Sequence, residues 1–269
     1  MRYRWLASFP ILLAIATLAI ASTVFADPAS ADALGRFTLG LRFFARFVAV
    51  LGCFAAMSVF ERGEGTYRGW ALLAFSSTLT LVRDLLYRLV FHSQETPMEQ
   101  GMNATLVVVS NLAQIVAVFL LARAWRAAAI GLAAGSARTR IVTIAIGILA
   151  LVVVGPAILG HTKTMAGGDF SALPELVASI VDLLSFFLIS PILLTALSLR
   201  GSSFSWPCAL LAACLASWLF YDAADVYGQG ATWAGVKVSE IFRHLALNFL
   251  GAAGLAQAWV VRGVRRVMA

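Results

Sequence analysis

Charged side chains are scarce in this chain. Asp, Glu, Lys and Arg make up 12% of its 269 residues, about half the share a soluble globular domain carries. That shortage excludes an ordinary fold with a fully solvated surface. Cysteine is equally sparse, and Cys53, Cys208 and Cys214 all fall inside apolar stretches. A framework of disulfides between exposed loops is therefore excluded, and the three thiols read as small buried hydrophobes. Histidine occurs three times, without HExxH or CxxC, so the common zinc signatures are missing. No serine stands in a GxSxG context or at helical spacing from a histidine–acid pair, and no catalytic motif is recognisable. No internal repeat is present either, which weakens the analogy to transporters built from two inverted halves.

What the chain has in plenty is hydrophobic residues, 61% of the total, with a mean hydropathy of +0.89. Ile141 to Gly160 runs twenty residues without a charge, enough for a helix to cross the roughly 30 Å hydrocarbon core of a bilayer. Such segments are apolar all round, whereas a soluble core helix keeps a polar face. The expected fold is all-α: a polytopic membrane protein, a seven-transmembrane-helix bundle after an N-terminal signal peptide. Basic Arg2 and Arg4, an apolar run from Leu6 to Ala21 and Val24-Phe25-Ala26 before Asp27-Pro28 mark residues 1–26 as a cleavable leader. An uncleaved anchor would leave the topology downstream unchanged. The spans are expected near 38–60, 69–91, 104–122, 141–160, 172–199, 207–226 and 235–261, all within one domain covering 27–269. Gly155-Pro156 and Ser190-Pro191 should bend the fourth and fifth of them.

Basic residues in the connections orient the bundle. One set holds Arg62, Arg68, Arg123, Arg126, Arg138, Arg140, Arg200, Arg262, Arg265 and Arg266; the other holds Lys163, with Arg36 in the leading tail. Ten against two puts the arginine-rich side in the cytoplasm of a bacterial inner membrane, the mature N-terminus in the periplasm and the C-terminus inside. Trp70, Trp125, Trp206 and Trp259 stand at the same helix ends, where headgroups favour the indole ring. Net charge of +7 is thus accounted for by topology, and nucleic-acid binding is not required. The connection from Arg123 to Arg140, with basic flanks and an apolar middle, is expected to lie on the anionic leaflet.

Twelve charged residues remain inside the spans, each costing about 2.5–3.5 kcal/mol at mid-membrane. The basic ones are Arg42, Arg46, Arg83, Arg88, Lys237 and Arg243; the acidic ones are Asp84, Glu175, Asp182, Asp222, Asp225 and Glu240. Alternating helix direction places all twelve in the periplasmic half, together with Asn111, Gln114, His92, His161 and His244. On the seventh span Lys237, Glu240, His244 and Asn248 share one face; on the sixth, Trp218, Asp222 and Asp225 do, with Tyr221 beside them. On the second, Asp84 and Arg88 are spaced i,i+4, with Arg83 and Tyr87 in the adjacent row. Lipid satisfies none of these groups, so they are expected to point inward as a polar chamber.

Several chemistries meet this pattern and most fail. Glu240-x-x-x-His244 offers two metal ligands, a weak signal. Seven-span hydrolases of the ceramidase and adiponectin-receptor type carry an HxxxH in their last helix that is absent here. A retinal lysine belongs at mid-depth, and Lys237 stands near the outer end. Proton coupling by Asp182, Asp222, Asp225 and Glu240 lacks a polar route through the cytoplasmic half. The plainest alternative is that the charges are ion pairs setting helix register. The expectation that organises them best is a small-ligand-binding, sensory receptor-like module. Arg42, Arg46, Arg83 and Arg88 would hold the anionic group of a small charged or zwitterionic periplasmic ligand, and Asp222, Asp225 and Glu240 its cationic group. Asp84, Asp182, Lys237, Arg243 and His244 complete the chamber. No cofactor is implied. The eight residues after Val261 hold no output domain, so a cytoplasmic or membrane signalling partner is expected beside the lipid bilayer. A transporter, an intramembrane enzyme or a structural subunit of a membrane complex would use the same charges differently.

Overall fold

Inside a bilayer every backbone N–H and C=O must be satisfied within its own segment, so long apolar stretches fold as helices. The computed structural model describes residues 4–25, 27, 31–89, 96–128, 137–228, 230–233 and 235–268. The helices are α1 (Arg4–Val24), α2 (Ala31–Met57), α3 (Gly65–Leu89), α4 (Pro97–Ala128), α5 (Ala137–Ala166), α6 (Leu173–Phe187), α7 (Ile189–Ser198), α8 (Ser205–Tyr227) and α9 (Val238–Met268). The chain is an all-α, multi-pass membrane protein. Seven helical segments among the described residues are long and apolar enough to cross a membrane. Six coincide with expected spans and the seventh is α1. Helix α3 matches the expected second span but is more polar, carrying Ser76, Ser77, Thr78 and Thr80 ahead of Arg83 and Asp84.

Helix α9 is the centre of the bundle, with 78% of its apolar window buried. It packs on α1, α2 and α8; α3 bridges α2 to α4, and α4 lies against α6 and α7. Helices α2, α3, α4, α6, α8 and α9 form a ring, while α1 and α5 lie outside it. The inward stripe of α1 is Leu6, Pro10, Thr17 and Ala21, at helical spacing, and Trp5 meets Trp259 of α9 at 5.5 Å between ring centroids. Helix α5 turns Ile141, Ile144, Ile148 and Val152 outward, as a lipid-facing helix does. We call the end bearing 167–172 and 228–237 the loop end, and the opposite one the arginine end.

The two proline sites behave differently. Ser190-Pro191 interrupts the fifth expected span, ending α6 at Phe187 and starting α7 at Ile189, because Pro191 has no N–H for the Phe187 carbonyl. Thr143 and Ser190 share a 2.6 Å hydrogen bond there. Helix α5 instead runs unbroken through Pro156. Its orphaned Val152 carbonyl accepts a 2.5 Å hydrogen bond from the Tyr227 hydroxyl of α8.

Three expectations need correction. Lys237 is not on the last helix: Val236–Lys237 (β2) pairs antiparallel with Thr232–Trp233 (β1), and α9 starts at Val238. Gly235, at φ 74°, supplies the left-handed turn residue that closes this two-stranded ribbon. Trp70 and Trp125 do stand at the arginine end, but they are buried and pack edge to face at 6.4 Å, so they fill the core and do not anchor headgroups. The half nearer the arginine end, expected to be purely apolar, is not, since Ser190, Thr195 and Gln257 are buried. Of the expected leaflet-bound connection, 129–136 lies outside the described residues.

Toward the arginine end α2 and α9 touch through bare backbone. A Cβ added at Gly254 would sit 2.1 Å from the Gly52 carbonyl oxygen, and one at Gly52 would sit 2.3 Å from that of Gly251. Small residues permit such close approach between membrane helices, where packing rather than water expulsion drives association. Gly254→Ala should therefore lower stability by about 2–3 kcal/mol. Gly40→Ala, whose Cβ meets nothing within 4 Å, should be neutral or stabilise by up to about 1 kcal/mol. Thermal unfolding of both variants in detergent checks the contrast.

Candidate functional site

The charges gather in the half of the bundle nearer the loop end, and α2 organises them. Arg42 and Arg46 are four residues apart and face the ring. The first reaches α9: Arg42 Nη2 lies 3.0 Å from Glu240 Oε1, and Arg243 Nη1 approaches the same oxygen at 3.0 Å. The second reaches α3: Arg46 Nε lies 2.6 Å from Asp84 Oδ2, and Arg83 Nη2 is 3.0 Å from Asp84 Oδ1. Each triad is one carboxylate between two guanidinium groups, a formal surplus of one positive charge. Arg243 also donates to the Tyr221 hydroxyl, and its guanidinium carbon sits 4.7 Å from the Tyr221 ring centroid. Trp218 packs edge-on to Tyr221 at 5.4 Å, which fixes that aromatic wall.

Between the six ring helices lies a cavity of about 250 Å³. Arg46, Arg83 and Arg243 enter it from α2, α3 and α9; Asp182 and Asp222 enter it from α6 and α8. These two aspartates are close enough to interact electrostatically. Among the described residues neither forms an ion pair with a basic side chain. Asn111 and Gln114 of α4 supply amides, Ser76, Ser77, Thr80 and Ser110 supply hydroxyls, and Leu247 and Leu250 add apolar wall. A second cavity, of about 710 Å³, lies toward the loop end between the end of α1, the start of α2 and β2. It reaches Arg42, Lys237 and Glu240. Glu240 and Arg42 thus border the outer space while Arg243, bonded to the same Glu240, borders the inner one.

Among the residues expected to build one chamber, Arg46, Arg83, Asp182, Asp222 and Arg243 line the inner cavity. Asp84 supports it by holding Arg46 and Arg83. Arg42, Lys237 and Glu240 line the outer cavity. Asp225 is exposed, a turn beyond Asp222, and lines neither. His244 is buried, with its backbone carbonyl accepting a 2.8 Å bond from Asn248, and it too lines neither cavity. The side chain of Arg88 and the whole of His92 lie outside the described residues. Reading by helical faces missed the hydroxyls of α3 and the role of Tyr221. The signal was available in the run Ser76-Ser77-Thr78-Leu79-Thr80, one turn ahead of Arg83-Asp84 in a membrane helix.

The arrangement can hold charge in a low-dielectric space with fixed partners. Among the described residues no three His, Cys, Asp or Glu side chains converge as metal ligands, and Glu240 is engaged by two arginines. No protein-family model, curated protein or solved structure matches the chain, so the site stands on its own geometry.

The triads and the unpaired aspartates differ in what removal of charge does. Asp84→Asn leaves buried Arg46 and half-buried Arg83 without their counter-ion and should cost about 3–5 kcal/mol. Asp222→Asn breaks no ion pair and should leave stability unchanged or raise it, as with groups retained for function. Chemical or thermal unfolding of the two variants in the same detergent reads the difference directly.

Proposed function

We propose that this protein is a receptor-like module of a bacterial inner membrane, which binds a small charged solute from the periplasm in its inner cavity. The observation that carries the reading is the pair Asp182 and Asp222, which among the described residues form no ion pair, in one cavity with three arginine side chains inside a closed ring of helices. Buried carboxylates are expensive in a membrane and are kept where they do work. The ten-to-two split of basic residues between connections supports a periplasmic loop end. The backbone contact of Gly52 with Gly251 and Gly254, on the arginine side of the cavity, suits a receptor better than a channel. The signal would pass to a cytoplasmic or membrane partner through the arginines near Arg123–Arg140 or the end of α9. The buried stripe of α1 favours its retention as an anchor over its removal as a leader, and sequencing the mature N-terminus would distinguish the two.

One observation favours a second reading, a transporter. The α6–α7 break lies six residues beyond Asp182, and interrupted helices commonly flank the substrate sites of transporters.

The test is a screen of small charged solutes by thermal shift on the purified protein. A solute at 100 times its Kd should add about 2.7 kcal/mol of stability, and Asp222→Asn should abolish the gain. If no charged solute stabilises the wild-type protein, the ligand-binding reading fails. Uptake of a stabilising solute into proteoliposomes would move the assignment from receptor to transporter, whereas binding without uptake keeps the receptor.

A further inference from the structure

The class of ligand follows from the charge balance of the cavity, given that it is a ligand site as proposed above. Four guanidinium groups (Arg42, Arg46, Arg83 and Arg243) and four carboxylates (Asp84, Asp182, Asp222 and Glu240) belong to the inner cavity and its two triads. Their formal charges sum to zero, but they are not mixed. All four arginines share two carboxylates on the α2–α3–α9 side. Among the described residues the other two carboxylates, on α6 and α8, form no ion pair. The arginine surplus therefore lies on the α2–α3–α9 side of the cavity and the two aspartates on the α6–α8 side.

Two neighbouring carboxylates in a low-dielectric space repel when both are charged, and a cation placed between them relieves that repulsion. A zwitterion supplies that cation to the aspartates and its carboxylate to the arginine surplus. Guanidinium groups pair with carboxylates in fixed, often bidentate geometry, and an ammonium offers three N–H donors to two carboxylates. Size limits the body between the poles. At about 30 Å³ per water-sized group, the cavity of about 250 Å³ holds roughly eight to ten non-hydrogen atoms. Asn111 and Gln114 can bond polar atoms along that body, and the Trp218–Tyr221 wall can cover its apolar carbons. We propose that the inner cavity binds a free amino acid or an amino-acid-sized zwitterion, its carboxylate toward Arg46, Arg83 and Arg243 and its ammonium between Asp182 and Asp222.

The experiment is calorimetry on the purified full chain with a panel of free α-, β- and γ-amino acids of up to about ten non-hydrogen atoms. Each binder is then compared with its N-acetyl derivative, which lacks the cation, and its methyl ester, which lacks the anion. The expected result is saturable binding of at least one free amino acid, with both derivatives at least 100-fold weaker. Asp222→Asn should weaken the free amino acid while narrowing the gap to its N-acetyl form. Equal binding of the N-acetyl derivative, binding of simple anions or cations alone, or no response to any zwitterion in the panel would overturn the assignment. Binding of simple ions alone would still leave a ligand chamber in place. A wild-type protein indifferent to every charged solute would remove both readings.

Discussion

A carboxylate shared between two guanidinium groups, made twice along one helix, is the interaction on which the rest of this structure depends. Neither Arg42 nor Arg46 could stand in a membrane span without a counter-ion. Because they sit four residues apart, one is drawn to Glu240 on α9 and the other to Asp84 on α3. Helix α2 is thereby tied on two sides in the half nearer the loop end. In the other half it needs no polar tie, since Gly52 lets its backbone rest on Gly251 and Gly254 of α9. Charge above and close backbone packing below set both the register and the separation of the two helices.

That clamp also shapes the space beside it. Gly52 lets α2 and α9 meet closely on one side, and the inner cavity lies where arginine side chains stand between the helices. The ring of α2, α3, α4, α6, α8 and α9 closes around that gap. Two carboxylates the clamp does not use, Asp182 and Asp222, line it from α6 and α8. Among the described residues the acidic groups thus divide by partner: Asp84 and Glu240 neutralise arginines, while Asp182 and Asp222 form no ion pair. The ion pair between Glu240, at the outer cavity, and Arg243, at the inner one, stands between the two spaces.

Much of this was legible in the residues themselves. Unbroken apolar length identified the helices, and alternating helix direction put Arg42, Arg46, Arg83 and Asp84 in one half of the bundle. What spacing could not decide was the partners of Arg42 and Arg46, because an i,i+4 pattern is local while their pairs join α2 to α9 and to α3. Lys237 was assigned to a helix because nothing in its own character forbids one; Gly235 and the pairing with Thr232–Trp233 hold it in the ribbon, so that α9 starts only after it. Trp70 and Trp125 followed the headgroup preference of tryptophan in position but not in direction, since burial between α3 and α4 offered them more contact. The apolar run of α1 reads equally as a leader or an anchor, because the two share the same composition. Pro156 and Pro191 were equivalent as local breakers, and only Tyr227, seventy-one residues beyond the first of them in sequence, keeps α5 whole.

The central claim is that a hydrated, charged chamber opens toward the loop end and not toward the arginine end. The most direct measurement is thiol accessibility at position 111, on the α4 wall of the inner cavity. In a background with Cys53, Cys208 and Cys214 replaced by alanine, Asn111→Cys would be treated with a membrane-impermeant thiol reagent in right-side-out and in inverted vesicles, with Ile148→Cys on the lipid face as control. The account predicts modification at position 111 from the loop-end side alone, and none at position 148 from either. Modification at 111 from the arginine-end side, or from neither side, would contradict it.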